Sequence, residues 1–221
     1  MLGLLIRDMT KRTLIVLVIV WLVAGAAGVA GVLRWRAGSV APHATEAPAV
    51  AGAAVPDFSL TDQDGQPARL TDLRGRVWIG AFIYTRCSDI CPMMAKSLAS
   101  LQTAIADRDV RLVSFSVDPE HDTPAVLKAY AEKLGADGQR WRLVTGKRSE
   151  IERISRGMLL GLNTSTKPEE ITHSDRFVLV GRDGTVQGYY SALDEQEITR
   201  LKTDIAKLSG QGQMAKGTPA P

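Results

Sequence analysis

Residues 76–84 read RVWIGAFIY, an apolar run bounded by an arginine and by the polar pair Thr85–Arg86. A strand with one solvated face alternates apolar and polar residues, whereas an unbroken run of this kind suits a strand buried on both faces. That requirement puts the segment inside a sheet. The stretch Cys87-Ser88-Asp89-Ile90-Cys91-Pro92 follows and holds both cysteines of the chain. Pro92 fits the first turn of a helix, where its missing N–H leaves no hydrogen bond unmade. Met94, Leu98, Leu101 and Ile105 then continue with helical spacing.

The flanking sequence repeats the alternation of strand and helix. DFSLTDQDGQPARLTDL predicts a hairpin turned at Asp64–Gly65. VRLVSFSVD predicts a second buried strand, and TPAVLKAYAEKLG a helix with Thr123 as N-cap, Pro124 at its first position and Gly135 past its end. WRLVTG is a short strand, and SEIERISRGMLLG a helix with Ser149 near its cap. RFVLVGRDGTVQGYY turns back near Asp183–Gly184, and DEQEITRLKTDIAKL closes the pattern as a helix. The expected class is α/β, with a central mixed β-sheet flanked by helices, over residues 55–208. A cysteine motif that ends a central strand and opens a helix occupies the position used by thioredoxin-like folds.

Outside this region the composition changes. Leu14 to Leu33 are twenty residues without a charge, and a helix needs about 20 apolar residues to cross a bilayer. The stretch exceeds the roughly 7 to 15 residues of a signal-peptide core. It predicts an uncleaved transmembrane helix over 13–33 behind a short N-terminus, 1–12; the small residues from Ala24 to Gly31 keep a cleaved signal as the alternative. Arg7, Lys11 and Arg12 precede the span and Arg34 and Arg36 follow it. Counting Lys and Arg favours a cytoplasmic N-terminus and an exported C-terminal domain. Residues 34–54, rich in Ala, Pro and Gly, read as a flexible linker, and 209–221 as a disordered polar tail. The net charge of +3 is spread among interleaved acids, and aromatic residues are only 5% of the chain. No basic stripe results, which argues against nucleic-acid binding.

Cys87 and Cys91 are spaced i, i+4, which on a regular helix puts their Cβ atoms about 5–6 Å apart. That suits convergence on a metal ion, or a disulfide, whose Cα atoms lie roughly 4.4–6.8 Å apart. A helix N-terminus favours thiolate in either case. A bridge closing so small a loop removes little entropy from the unfolded chain, so a purely structural staple is disfavoured. Dithiol oxidoreductases use C-x-x-C, and a closed zinc site needs four ligands. Two thiolates with one imidazole would suit cuprous copper, a soft ion. Of three histidines, His43 lies in the linker and His121, in VDPEHDTP, reads as a solvated loop residue. His173, in EEITHSDRFVLV, precedes a strand and follows a long polar loop; spacing alone leaves it open between ligand and solvated residue.

Taken in order, FIYTRCSDICP, SFSVDPEHDTPAVLKAY, WRLVTG and THSDRFVLVGRDG resemble the Sco/SenC family. These are membrane-tethered, thioredoxin-like copper proteins that help assemble the CuA centre of cytochrome c oxidase. The resemblance covers residues 55–208 and implies copper ligands at Cys87, Cys91 and His173, with Asp118 near the metal. Asp118 also has a plain reading as turn chemistry before Pro119. Asp89 matches the family's acidic residue between the cysteines. Ser88 stands where proline is common, and Ile171–Thr172 where an aspartate often precedes the histidine. The implied function is copper delivery to the CuA-bearing oxidase subunit from a bacterial-type inner membrane, the domain lying in the periplasm. A second periplasmic copper chaperone or a thioredoxin-like reductant would be further partners. No substrate-turnover apparatus is visible. The alternative is a thiol-disulfide oxidoreductase that keeps CuA-site cysteines reduced, using Cys87 and Cys91 as its redox pair.

Overall fold

The structure, a computed structural model, describes residues 21–22, 52–160 and 174–214. The chain separates into two units, Met1–Glu46 and Ala47–Pro221. In the first, Trp21 and Leu22 are helical and exposed; the rest of the transmembrane segment expected over 13–33 lies outside the described residues, as does most of the linker. Among the described residues no helix is long and apolar enough to cross a membrane.

The second unit is built on one mixed sheet. Its strands are β1 (Ser59–Asp62), β2 (Pro67–Arg69), β3 (Val77–Ile83), β4 (Val110–Ser116), β5 (Trp141–Thr145), β6 (Arg176–Val180) and β7 (Val186–Ser191). They lie in the order β2-β1-β5-β4-β3-β6-β7. The central trio β5, β4 and β3 is parallel, while β1, β6 and β7 run antiparallel to their inner neighbours. The helices are α1 (Ile90–Ala104), α2 (Pro124–Leu134), α3 (Arg148–Gly157) and α4 (Glu195–Met214).

Every residue of β3 is buried, as the unbroken apolar run requires of an interior strand. On one face Phe82 stacks on Phe115 of β4 at 5.0 Å, and Phe58 meets the same ring edge-on at 5.4 Å. Gly80 leaves room here for Met158, whose terminal methyl would lie 2.9 Å from an added Cβ. From α1 the buried stripe is Cys91, Met94, Ala95, Leu98 and Leu101.

The turn chemistry follows the sequence closely. Gly65 and Gly184 take positive φ, and Asp62 accepts the N–H groups of Asp64 and Gln66 through its side chain. Thr123 caps α2 by accepting the Val126 N–H, and Gly135 ends it at φ 65. Three boundaries differ. α3 starts behind Lys147 and ends at Gly157, short of the expected Met-Leu-Leu-Gly end. The run after β2 closes into a 3-10 turn, Leu70–Leu73, because the Asp72 carboxylate accepts the Arg69 N–H. The closing helix passes Leu208 to reach Met214; the Arg182 guanidinium donates to the Leu208 and Ser209 carbonyls on the way.

Candidate metal centre

The parallel pairing sets Ile83 level with Ser116, so the segments leaving β3 and β4 emerge on the same edge of the sheet. β6 runs the other way, with Gly80 opposite Val178. Continuing that register by two residues puts Arg176 level with Phe82. The strand that follows His173 therefore starts on the edge where the cysteine loop begins. His173 itself lies outside the described residues.

Asp89 is the N-cap of α1, yet its side chain makes no capping bond. Cys87 takes over that role: its Sγ accepts the Cys91 N–H at 3.4 Å. One of the first-turn amides that a helix cannot satisfy internally thus points at sulfur. Both cysteines are free and buried, Cys87 at 8% and Cys91 at 0% exposure. Burial pushes the Cys87 thiol up, but hydrogen bonds from the Cys91 thiol, the Cys91 and Asp89 amides and the Tyr84 hydroxyl together hold it below its ordinary value. Burial first, then the neighbouring Cys87 sulfur, pushes Cys91 up to about 12. The pair is asymmetric: a thiolate-prone sulfur at the loop and a proton-holding one in the helix. Burial and the Cys87 charge likewise raise Tyr84 to about 12, keeping its hydroxyl a donor.

Two buried carboxylates brace the loop ahead of Cys87. Asp118 is fully buried, and its Oδ2 receives both Nε (2.9 Å) and Nη2 (2.6 Å) of Arg86. Its Oδ1 is buried without a hydrogen-bond partner. Asp122 accepts the Thr85 N–H (3.1 Å), the Thr85 hydroxyl (2.5 Å) and the Ser116 hydroxyl (2.7 Å), and pairs with His121 Nδ1 at 3.0 Å. Asp118, His121 and Asp122 can bring ligand atoms within 4.8 Å of one another. The Asp122 oxygens are already occupied by these donors and Arg86 supplies a cation beside Asp118, so the cluster is a hydrogen-bonded clamp.

Asp118 thus leaves β4 on the same edge as the cysteine loop, and its turn role holds as well: its carbonyl accepts the His121 and Asp122 amides. His121, expected to be solvated, is exposed at its rim but tied to Asp122. Thr85, Arg86 and Asp122 were not singled out from the sequence. The available signal was a polar pair closing an otherwise apolar strand, opposite an acidic turn after the next strand.

Two thiols at a helix N-terminus are a soft donor set that suits cuprous copper. The raised Cys91 value means that binding has to displace a proton.

The SCO1/SenC family pattern matches residues 46–209. Among solved structures, a SCO1/SenC family lipoprotein from Bacillus anthracis is 31% identical, with TM-score 0.67, covering 73% of this chain and 98% of its own. BsSco, described through a disulfide switch and as a member of the Sco family of cytochrome c oxidase assembly proteins, is 33% identical. It superposes with TM-score 0.65 over 74% of this chain and 97% of its own. Bradyrhizobium japonicum ScoI with copper bound is 27% identical, TM-score 0.57, over 71% and 99%. With its cysteine pair following the interior strand β3, on a fold shared along nearly the whole length of these proteins, the chain belongs to the SCO1/SenC family.

Proposed function

We propose that this protein is a membrane-anchored copper carrier that delivers copper to the CuA-bearing subunit of cytochrome c oxidase during assembly. The observation that carries this reading is the pair of free, buried thiols at the start of α1, on the sheet edge where the strand after His173 begins. The copper-bound ScoI relative and the oxidase-assembly description of BsSco support it. Cys87 and Cys91 would supply two sulfurs and His173 the third ligand, with Asp118 close by. The uncharged stretch Leu14–Leu33 would hold the domain at the periplasmic face of the inner membrane.

The test is copper stoichiometry and absorption of the reduced full chain in detergent. One copper per chain is expected when reduced and none once a Cys87–Cys91 disulfide has formed, since that bond leaves no thiolate. His173→Ala should weaken copper retention by at least about 10- to 100-fold, the scale already reached by losing a residue that only supports a ligand. Copper retention unchanged by that substitution would overturn the three-ligand site.

A second reading draws on the unequal acidity of the two thiols. Cys87 thiolate would attack a partner disulfide, releasing one partner thiolate. Cys91 would then give up its proton and displace the second, leaving the partner dithiol reduced and a Cys87–Cys91 disulfide behind. A thioredoxin-like reductant would be needed to restore the pair. This reaction does not use His173, so dithiol activity kept alongside lost copper binding in His173→Ala would separate the two roles.

A further inference from the structure

Within the described part of the C-terminal unit, three large apolar side chains are exposed: Met93 at 48%, and Leu159 and Leu193 at 45% each. Leu159 caps a helix. The other two line one groove of about 540 Å³ between α1 and α4, within the roughly 300–1,000 Å³ range of binding clefts.

One end of the groove starts at the helix turn that carries Cys91. Met93 lies in the same first turn of α1 as Cys91. Leu193 is carried by the loop after β7, and that loop is tied to Asp175, two residues beyond His173. The Ala192 N–H donates to the Asp175 carbonyl, and Ser191 Oγ donates to its carboxylate while accepting the Leu193 N–H. Ser97 Oγ on α1 donates to the Ala192 carbonyl at 2.8 Å, fixing the floor. Leu193 is thus held out into solvent by a bonded loop.

Lysines also line the groove. Lys96 on α1 and Lys202 on α4 line it, with Glu195 as the one acid. Among the described residues neither lysine forms an ion pair or hydrogen bond. An apolar centre within a polar, solvent-accessible rim is the usual anatomy of a protein-binding surface, and a channel between two helices receives an elongated segment.

We infer that this groove docks a segment of the copper-accepting protein that presents an apolar anchor flanked by carboxylates, seating it beside the cysteine loop. The inference rests on the copper-delivery reading. Met93 and Leu193 supply contact area, and Lys96 and Lys202 steer the encounter and set its register.

The experiment follows copper transfer from the copper-loaded full chain in detergent to a purified, soluble CuA-bearing oxidase domain, at sub-saturating concentration. Leu193→Asp and the double change Lys96→Glu/Lys202→Glu should each lower the second-order transfer rate by about tenfold or more, the scale of an interface anchor. The lysine variant should also flatten its salt dependence. None of the three substituted positions is a proposed ligand or an immediate neighbour of one, so copper stoichiometry and absorption of the loaded variants should match the unsubstituted chain. Transfer at the unsubstituted rate in both variants overturns the docking site and leaves copper delivery standing. No transfer from the unsubstituted chain overturns delivery and the docking site together. A dimer of the chain alone that Leu193→Asp dissolves would place a second copy in the groove and likewise overturn the inference.

Discussion

Cys87 and Cys91 differ in what surrounds each sulfur. Cys87 accepts a helix N-terminal amide, and its pKa is lowered, whereas Cys91 is fully enclosed and pushed up to about 12. Thiolate is the nucleophile, so alkylation of the reduced chain near pH 8 should fall on Cys87 first, as read by mass spectrometry of the modified peptide. Equal labelling of both would contradict the asymmetry. The clamp residues carry a stability prediction. Asp122→Ala removes the acceptor for the Thr85 amide and for the Thr85 and Ser116 hydroxyls. Stranded buried donors cost about 1–3 kcal/mol each, offset in part by water entering the loop, so a net loss of roughly 2–4 kcal/mol is expected from urea unfolding. The cysteines announced themselves in the sequence because two reactive residues sat in a recognisable spacing. Asp122 did not, since an acid two residues before a helix proline reads equally as turn chemistry.

At the scale of elements, α3 ends in a Schellman motif: Leu160 N–H donates to the Ser155 carbonyl and Leu159 N–H to that of Arg156. The motif needs a left-handed residue, and Leu159 fills that place at φ 57. Glycine is the usual occupant because a Cβ in this conformation costs about 1–2 kcal/mol. Leu159 is 45% exposed and loses little packing on truncation. Leu159→Gly is therefore expected to raise stability by about 0.5–1 kcal/mol, after allowing for the greater freedom of glycine in the unfolded chain. The shift should appear in the denaturant midpoint with an unchanged slope. This cap was not legible as a cap, because Met-Leu-Leu carries none of the glycine that marks such an ending. The ends of α2, by contrast, could be read directly from Thr123, Pro124 and Gly135.

For the whole molecule, several buried or half-buried acids keep their protons in the folded state. Cys91, Tyr84 and Tyr130 are all raised to about 12, from ordinary values of 9.0 for the thiol and 10.0 for the phenols, with burial the leading cause in each. Well below pH 9 both states hold these protons and no stability is lost. Above it the unfolded chain releases protons that the folded chain keeps, so stability falls as pH rises toward 12. The urea midpoint of the reduced protein should drop between pH 9 and pH 11; a flat or rising midpoint would refute the assignment. The interior position of β3, the hairpin turns, the limits of α2 and the placing of two cysteines at a helix start could be read from the chain alone. Each of these follows from periodicity or backbone preference within a few residues of chain. That Arg86 and Thr85 are held by Asp118 and Asp122, and that Met93 and Leu193 share one groove, emerges from the folded arrangement. Those residues meet across separations of 32, 37 and about 100 positions, and such meetings are set by the parallel register of β3 and β4 and by the packing of α4 beside α1. Local pattern carries no record of that register.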